Sequence, residues 1–82
     1  MRTLELDVVD WSHSLRAGLP AVPADSTVGA LLDEVKEAMV LPEETPYHLL
    51  YGGQKLNNVQ TLEEIGVQSG EEITIAPEVS AG

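Results

Sequence analysis

The sequence predicts an α+β fold in which one central helix packs across one face of a β-sheet. Residues 26–40 repeat apolar side chains at intervals of three and four, the spacing of an amphipathic helix. Residues 3–9 and 71–76 alternate apolar and polar side chains, the spacing of strands with one buried face. Since the 82 residues include no cysteine, no disulfide supports the fold, and one helix on one sheet is the core that this length permits.

A hairpin is expected to precede the helix. The first strand is predicted over residues 3–9, where apolar and acidic residues alternate. A weaker alternation over residues 15–22 is interrupted by Pro20. Because proline has no N–H to give to a neighbouring strand, this second strand is expected at an edge of the sheet.

The helix over residues 26–40 has an expected start and an expected stop. Asp25 or Ser26 is predicted to cap its first turn with a side-chain oxygen, and Pro42 is predicted to end it. Its apolar stripe consists of Val28, Leu31, Leu32, Val35 and Met39. A lone helix of this length is marginal in water, so the stripe has to be buried against the sheet.

The second half of the chain predicts short strands joined by tight turns. Residues 47–51 are an apolar run of strand-forming types, and Gly52-Gly53 predicts a turn into a brief strand over residues 54–56. The capping-box pattern that begins at Thr61 predicts one helical turn ending at Gly66. The alternation over residues 71–76 predicts the last strand.

The order of these elements, with the residues of the middle segment, resembles the ubiquitin-like family of β-grasp proteins. The family's apolar strand, glycine turn and leucine match residues 49–56 (LLYGGQKL), and its Thr-Leu helical turn matches residues 61–67 (TLEEIGV). The resemblance runs without a gap from residue 49 to residue 82 and is weakest before residue 22. It implies a mixed sheet of four to five strands crossed by one helix, with the last strand beside the first.

The resemblance also implies two parts of unequal order. Residues 1–76 form the expected β-grasp domain, and residues 77–82 form a flexible tail. Pro77 is expected to close the last strand because it lacks an N–H, leaving Val79 and Ser80 to lead to the end of the tail.

The last two residues are the expected conjugation terminus. Gly82 aligns with the terminal glycine of the family, and Ala81 stands where the family has another glycine. A thin, side-chain-poor end can pass through a narrow channel to an activated phosphate. There the carboxylate is adenylated and then attacked by an enzyme thiolate to give a thioester.

An apolar recognition patch on the exposed sheet face is the second implied site. Leu50 matches one member of the family's patch, Ala76 stands where the family has valine, and His48 lies on the same predicted strand. Trp11 is the bulky residue nearest the hairpin-loop member, and it either packs under the loop or stands out as a binding anchor. The patch is expected to be smaller than that of the family.

The leading functional hypothesis is a protein modifier rather than an enzyme. An E1-like activating enzyme would adenylate Gly82 with ATP, which this chain does not itself bind, and an E2-like carrier would pass it to target proteins. A deconjugating protease is a further expected partner. No cofactor, metal site or catalytic constellation is expected around His13 or His48. The alternatives are a sulfur carrier with a C-terminal thiocarboxylate and a non-covalent ubiquitin-like adaptor of the type VII secretion kind.

Composition narrows the setting in which such a protein works. Fourteen acidic residues against four basic ones give a formal charge of −10, which repels nucleic acid and anionic lipid. The chain lacks an apolar run of membrane-spanning length and the layout of a signal peptide, so a cytoplasmic monomer is expected. The scarcity of lysine and the abundance of alanine and valine favour a high-GC bacterial source.

Overall fold

The computed structural model describes residues 2–42 and 44–78, which form a five-stranded mixed sheet crossed by a helix. The elements in chain order are β1 (Thr3–Asp10), β2 (Arg16–Pro23), α1 (Val28–Ala38), β3 (Tyr47–Tyr51), β4 (Gln54–Lys55), α2 (Leu62–Ile65) and β5 (Glu72–Pro77). The strand order across the sheet is β2-β1-β5-β3-β4. The predicted fold class is therefore confirmed.

The first and last strands lie side by side at the centre of the sheet. β1 pairs with β5 in parallel, with Val8 beside Ile73, and β5 pairs with β3 antiparallel, with Ile75 beside Leu49. All four of these side chains are fully buried. The central position of the last strand, which the family resemblance implied, is confirmed.

The strand that contains Pro20 is an edge strand, as predicted. The register between β1 and β2 shifts between Leu4 and Leu6, so that Pro20 and Ala21 lie opposite a single residue of β1. Such a bulge leaves a residue outside the ladder, which is where a proline without an N–H is tolerated.

The apolar stripe of α1 is buried against the sheet, as its spacing predicted. Its buried residues are Val28, Leu31, Leu32 and Val35, and the half-buried Met39 packs at the end of the stripe. Within residues 2–42 and 44–78, the structure contains no helix that is long and apolar enough to cross a membrane.

The start of α1 differs from the prediction. Thr27, and neither Asp25 nor Ser26, is the N-cap: its hydroxyl oxygen accepts a hydrogen bond from the N–H of Ala30 at 3.2 Å. The first two N–H groups of the helix donate to carbonyl oxygens of the loop before α2, from Val28 to Gln60 and from Gly29 to Asn58. Because a distant loop supplies these acceptors, the helix begins two residues later than local sequence indicated.

The end of α1 also comes before the predicted stop at Pro42. Val40 adopts a left-handed conformation with φ of 53°, and the N–H groups of Val40 and Leu41 donate to the carbonyls of Glu37 and Lys36. This is the hydrogen-bond pattern of a Schellman motif, in which the left-handed residue is usually glycine. A β-branched residue there is strained, so the helix ends against the preference of Val40.

The predicted helical turn is confirmed in its details. The hydroxyl of Thr61 accepts from the N–H of Glu64, and the carboxylate of Glu64 accepts from the N–H of Thr61, which completes the capping box. Gly66 ends α2 with a φ of 91°, a conformation that glycine adopts without strain.

The loop between α2 and β5 is held to β3 by a short hydrogen bond. The hydroxyl of Tyr51 donates to Glu71 at 2.5 Å, and the N–H of Gln68 donates to the same carboxylate at 2.8 Å. The bond to Glu71 raises the pKa of Tyr51, and the bonds from Tyr51 and Gln68 lower the pKa of Glu71. The loop that leads into the central strand is thereby fixed.

Replacement of Val35 by aspartate should unfold most of the protein. Val35 is fully buried, and full burial shifts a carboxyl pKa by roughly 3–5 units, a cost of about 4–7 kcal/mol. At roughly 0.05–0.15 kcal/mol per residue, the 82 residues have a total stability of about 4–12 kcal/mol, so this cost removes a large part or all of the stability. The control is Ala30→Asp on the exposed face of α1, which should melt near the parent temperature. Equal melting of parent and Val35→Asp would contradict the burial of this stripe.

Replacement of Val40 by glycine should stabilise the protein. Glycine removes the left-handed strain of Val40, although it adds entropy to the unfolded chain, and the expected net gain is about 0.5–1 kcal/mol. Urea unfolding measures the change. Ala38→Gly, two residues earlier inside α1, should instead lower the free energy of unfolding by about 0.5–1 kcal/mol. If both variants were destabilised equally, the left-handed conformation of Val40 would be wrong.

Candidate interaction surface

The candidate site is the sheet face opposite α1, here called the distal face and defined by Val9, His48, Leu50, Thr74 and Ala76. His48 lies opposite Ala76 and Leu50 lies opposite Thr74 in the β3–β5 ladder, while Val9 lies beside Thr74 in the β1–β5 ladder. The structure thus brings together His48, Leu50 and Ala76, which the resemblance had assigned to one surface. All three are half-buried, so the apolar area that they expose is limited.

Val9 is a distal-face residue that sequence reasoning missed. It is 1% exposed, and its register neighbours are Arg16 in β2 and Thr74 in β5. The available signal was the Val8-Val9 pair, which breaks the alternation of apolar and acidic residues in β1. Two consecutive apolar residues are typical of a strand that is buried on both faces. β1 lies between β2 and β5, and both Val8 and Val9 are buried.

Trp11 combines the two roles that the sequence left open. Its ring lies 6.1 Å from that of Tyr47, tilted by 34°, and the residue is 49% exposed. Tyr47 belongs to the core and alternates with His48 along β3. The structure therefore groups Trp11 with the core end of the sheet rather than with Leu50, and one side of the indole stays open to solvent.

The turn that carries Trp11 is organised by the carboxylate of Asp10. Its Oδ1 accepts from the N–H groups of Ser14 and Leu15 at 2.7 and 3.1 Å, and its Oδ2 accepts from the hydroxyl of Ser12 at 2.7 Å. Burial by itself raises the pKa of Asp10, but the bonds from Leu15, Ser12 and Ser14 and the nearby His13 outweigh it, so the pKa lies below its ordinary 3.8. The ionised carboxylate thus fixes the turn.

Ion pairs lie on the distal face around its apolar residues. Arg16 contacts Glu72 at 3.2 Å and Asp7 at 3.9 Å, which joins β2, β1 and β5. Lys55 Nζ lies 2.7 Å from Glu78 Oε1. Throughout residues 2–42 and 44–78, three or more histidine and acidic side chains never come close enough together to hold a metal ion.

Pro77 closes β5, as predicted. It is the half-buried last residue of this strand and lies opposite Tyr47, so the strand runs one residue beyond the expected domain boundary at residue 76. The N–H of Glu78 donates to the carbonyl of Pro46 at 2.9 Å, so the nitrogen of Pro77 points to the other side of the strand. β1 pairs with β5 only as far as Ile75, and no N–H is needed there.

The predicted conjugation terminus, Ala81 and Gly82, lies outside the described residues. So do Val79 and Ser80 of the predicted tail. Their assigned roles stay predictions.

Acid should remove the contribution of Asp10 to stability. Because the pKa of folded Asp10 is depressed, the stabilisation is present above the unfolded pKa and is lost as the pH falls through the folded pKa, below 3.8. Asp10→Asn should therefore be clearly less stable than the parent in urea at pH 7, and the difference should shrink at pH 2.5. Asp33→Asn, on the exposed face of α1, makes the same charge change as a control. A difference between parent and Asp10→Asn that is independent of pH would contradict the assignment.

Solved structures similar to this one are ubiquitin and ubiquitin-like domains. Ubiquitin from Caldiarchaeum subterraneum is 27% identical, with 99% of this chain and 100% of that chain covered and a TM-score of 0.82. The ubiquitin-like domain of Dsk2 from Plasmodium falciparum is 18% identical, with 94% and 100% covered and a TM-score of 0.80. The ubiquitin-like domain of yeast Ddi1 is 19% identical, with 100% and 96% covered and a TM-score of 0.78.

No protein-family model matches the sequence, and no curated protein matches it either. The family assignment therefore rests on the structural likeness and on the residues of the middle segment. Below 25% identity such likeness speaks for the fold alone, whereas the ubiquitin at 27% identity matches both chains from end to end. The chain is a ubiquitin-like β-grasp protein that resembles ubiquitin.

Proposed function

We propose that this chain is a ubiquitin-like protein modifier and a substrate of conjugating enzymes rather than an enzyme. The carboxylate of Gly82 attacks the α-phosphate of ATP in an E1-like activating enzyme and releases pyrophosphate. A thiolate of the enzyme then attacks the acyl adenylate, which forms a thioester and releases AMP. An E2-like carrier then transfers the modifier to target proteins in the cytoplasm. The alanine at position 81 is small enough to follow Gly82 through a narrow channel.

The observation that carries this proposal is the match to a ubiquitin over the whole of both chains. This match covers 99% of this chain and 100% of the ubiquitin at 27% identity, whereas the ubiquitin-like domains of Dsk2 and Ddi1 match over a similar length at 18% and 19% identity. Fold alone does not determine function, because one fold hosts many activities. The additional support is local, in the Ala81-Gly82 end of the sequence and in the patch of the distal face.

The distal face is the proposed contact surface for the activating and carrier enzymes. Leu50 and Ala76 supply a half-buried apolar centre, and the ion pairs of Arg16 lie on the same face. An interface with an apolar centre and a charged rim is the usual arrangement of transient protein contacts. With four acidic residues in the segments 63–64 and 71–72, the chain also favours partners with basic surfaces.

A non-covalent adaptor is the second candidate function. The observation that favours it is Ala81, which interrupts the pair of glycines found at the end of family modifiers. In an adaptor the distal face binds the partner and the C-terminal residues are dispensable. A sulfur carrier shares the adenylation step with the modifier, and intact mass of protein from its own cell would detect the sulfur that replaces a carboxylate oxygen.

Changes at the last two residues should separate conjugation from folding. Gly82→Ala and deletion of Gly82 should change the free energy of unfolding by less than about 0.5 kcal/mol, because the buried core of the described residues ends at Ile75, while adenylation slows by about 100-fold or more. Ala81→Gly should be activated like the parent, and Ala81→Arg should be excluded from the channel. Incubation with a cognate activating enzyme and ATP, followed by gel analysis with and without a thiol, measures the adduct.

Two results would overturn the proposal. If the parent forms no thiol-sensitive adduct and a variant lacking Ala81 and Gly82 keeps its partner, the adaptor function is correct. If Ala81→Arg is activated as fast as the parent, the narrow-channel argument fails.

A further inference from the structure

Three ionisable side chains meet where β5 ends. Glu78 Oε1 lies 2.7 Å from Lys55 Nζ and 3.9 Å from His48 Nδ1. His48 belongs to β3, Lys55 belongs to β4, and Glu78 follows β5, so the contact joins the chain end to two neighbouring strands. Glu78 is also the last described residue before residues 79–82.

Among the described residues, one backbone hydrogen bond joins Glu78 to the chain just before β3. Its N–H donates to the carbonyl of Pro46 at 2.9 Å, one residue beyond Pro77, which has no N–H to give. Strand ends held by so few backbone bonds fray readily. The side-chain contacts of Glu78 therefore have a large share in deciding whether it stays on the sheet.

The His48 side chain lies beside the Glu78 carboxylate. Its side chain is 18% exposed, and its Nδ1 is buried without a hydrogen-bond partner. A buried polar atom without a hydrogen-bond partner is unfavourable. The Glu78 carboxylate is the acidic group that lies near His48 Nδ1, at 3.9 Å. A small rotation of this carboxylate toward His48 would supply the missing bond, so the site favours a carboxylate at position 78.

The charge of Glu78 is kept by the same neighbours. The hydrogen bond and the positive charge of Lys55 lower the pKa of Glu78, and His48 adds to the effect. The side chain is 43% exposed, so these contacts are reached by solvent and by salt. The contact is thus one that can open without unfolding the domain.

We propose that Lys55 and His48 hold the Glu78 carboxylate in a clasp that keeps the chain at Glu78 against β3 and β4, and that opening of this clasp favours entry of Gly82 into the channel of an activating enzyme. The second half rests on the proposed function, whereas the first concerns the free protein alone. Lys55 and Glu78 are then positioning residues, because they act through the placement of the chain at Glu78.

The clasp should bias the chain end rather than lock it. A solvent-exposed ion pair contributes little net stability and is screened by salt, so its removal is expected to change the opening equilibrium by about two- to fivefold. A two- to fivefold change in this equilibrium has little effect on folding stability, but hydrogen exchange and enzyme kinetics measure it.

The free protein tests the first half through hydrogen exchange of the Glu78 amide, followed by NMR. Lys55→Gln should lower its protection by about two- to fivefold, and Glu78→Gln, which also removes the contact with His48, should lower it at least as much. The double variant should go no further than Glu78→Gln, because the carboxylate is common to both contacts. High salt should reproduce the loss in the parent and have little effect on Lys55→Gln.

The matched control is Arg16→Gln, which also removes one cation from an ion pair with a β5 carboxylate. It should leave the exchange of the Glu78 amide unchanged. Unchanged exchange in Lys55→Gln, or an equal change in Arg16→Gln, would overturn the clasp.

Activation kinetics test the second half. Lys55→Gln should lower the KM for activation by about two- to fivefold and leave kcat unchanged, because the chain end is freed while the chemistry at Gly82 is untouched. A raised KM would mean that Lys55 contacts the enzyme and would overturn this half. If the parent is not adenylated at all, the proposed function fails, while the exchange experiment still decides whether the clasp exists.

Discussion

The parallel pairing of β1 with β5 is the constraint on which the remaining structure depends. β3 and β4 reach the first hairpin only through β5, so the sheet would separate into two parts without this pairing. Its register is set before β5 begins, where Gly70 N–H donates to the carbonyl of Glu5 and Asp7 N–H donates to that of Glu71. Parallel strands need a long crossover, here the whole chain between them. The crossover includes α1, whose apolar stripe finds a continuous sheet only when both parts are joined.

Sequence alone predicted the features that neighbouring residues determine. The strand over residues 47–51, the glycine turn after it and the capping box at Thr61 match the structure closely, because each depends on side chains within a few positions. The ends of α1 differ from the prediction. Carbonyls of the loop before α2, which is distant in sequence, displace the start to Val28, and the left-handed conformation of Val40 ends the helix before the predicted stop at Pro42.

The candidate surface shows the same division. Alternation along β3, with the family resemblance, was enough to place His48 and Leu50 on one face. It did not predict the burial of Val9 on that face, which comes from its neighbours Arg16 and Thr74 in other strands. Nor did it predict the contact of Glu78 with Lys55, which joins residues far apart in sequence. Pro77 was expected to close the last strand because of its missing N–H, and it is the last residue of β5. The missing N–H is harmless at this position, because β1 no longer pairs with β5 there.

The few positive charges of this acidic chain are placed where they join strands. Of four basic residues, Arg16 connects the edge strand β2 to Asp7 in β1 and Glu72 in β5, and Lys55 connects the edge strand β4 to Glu78 after β5. Each pair is exposed and adds little stability by itself. Their main effect is on geometry, because opposite charges fix the relative position of the groups that carry them. In this protein both pairs converge on β5, the strand that continues into the C-terminal residues, so the geometry of the chain end is tied to both edges of the sheet.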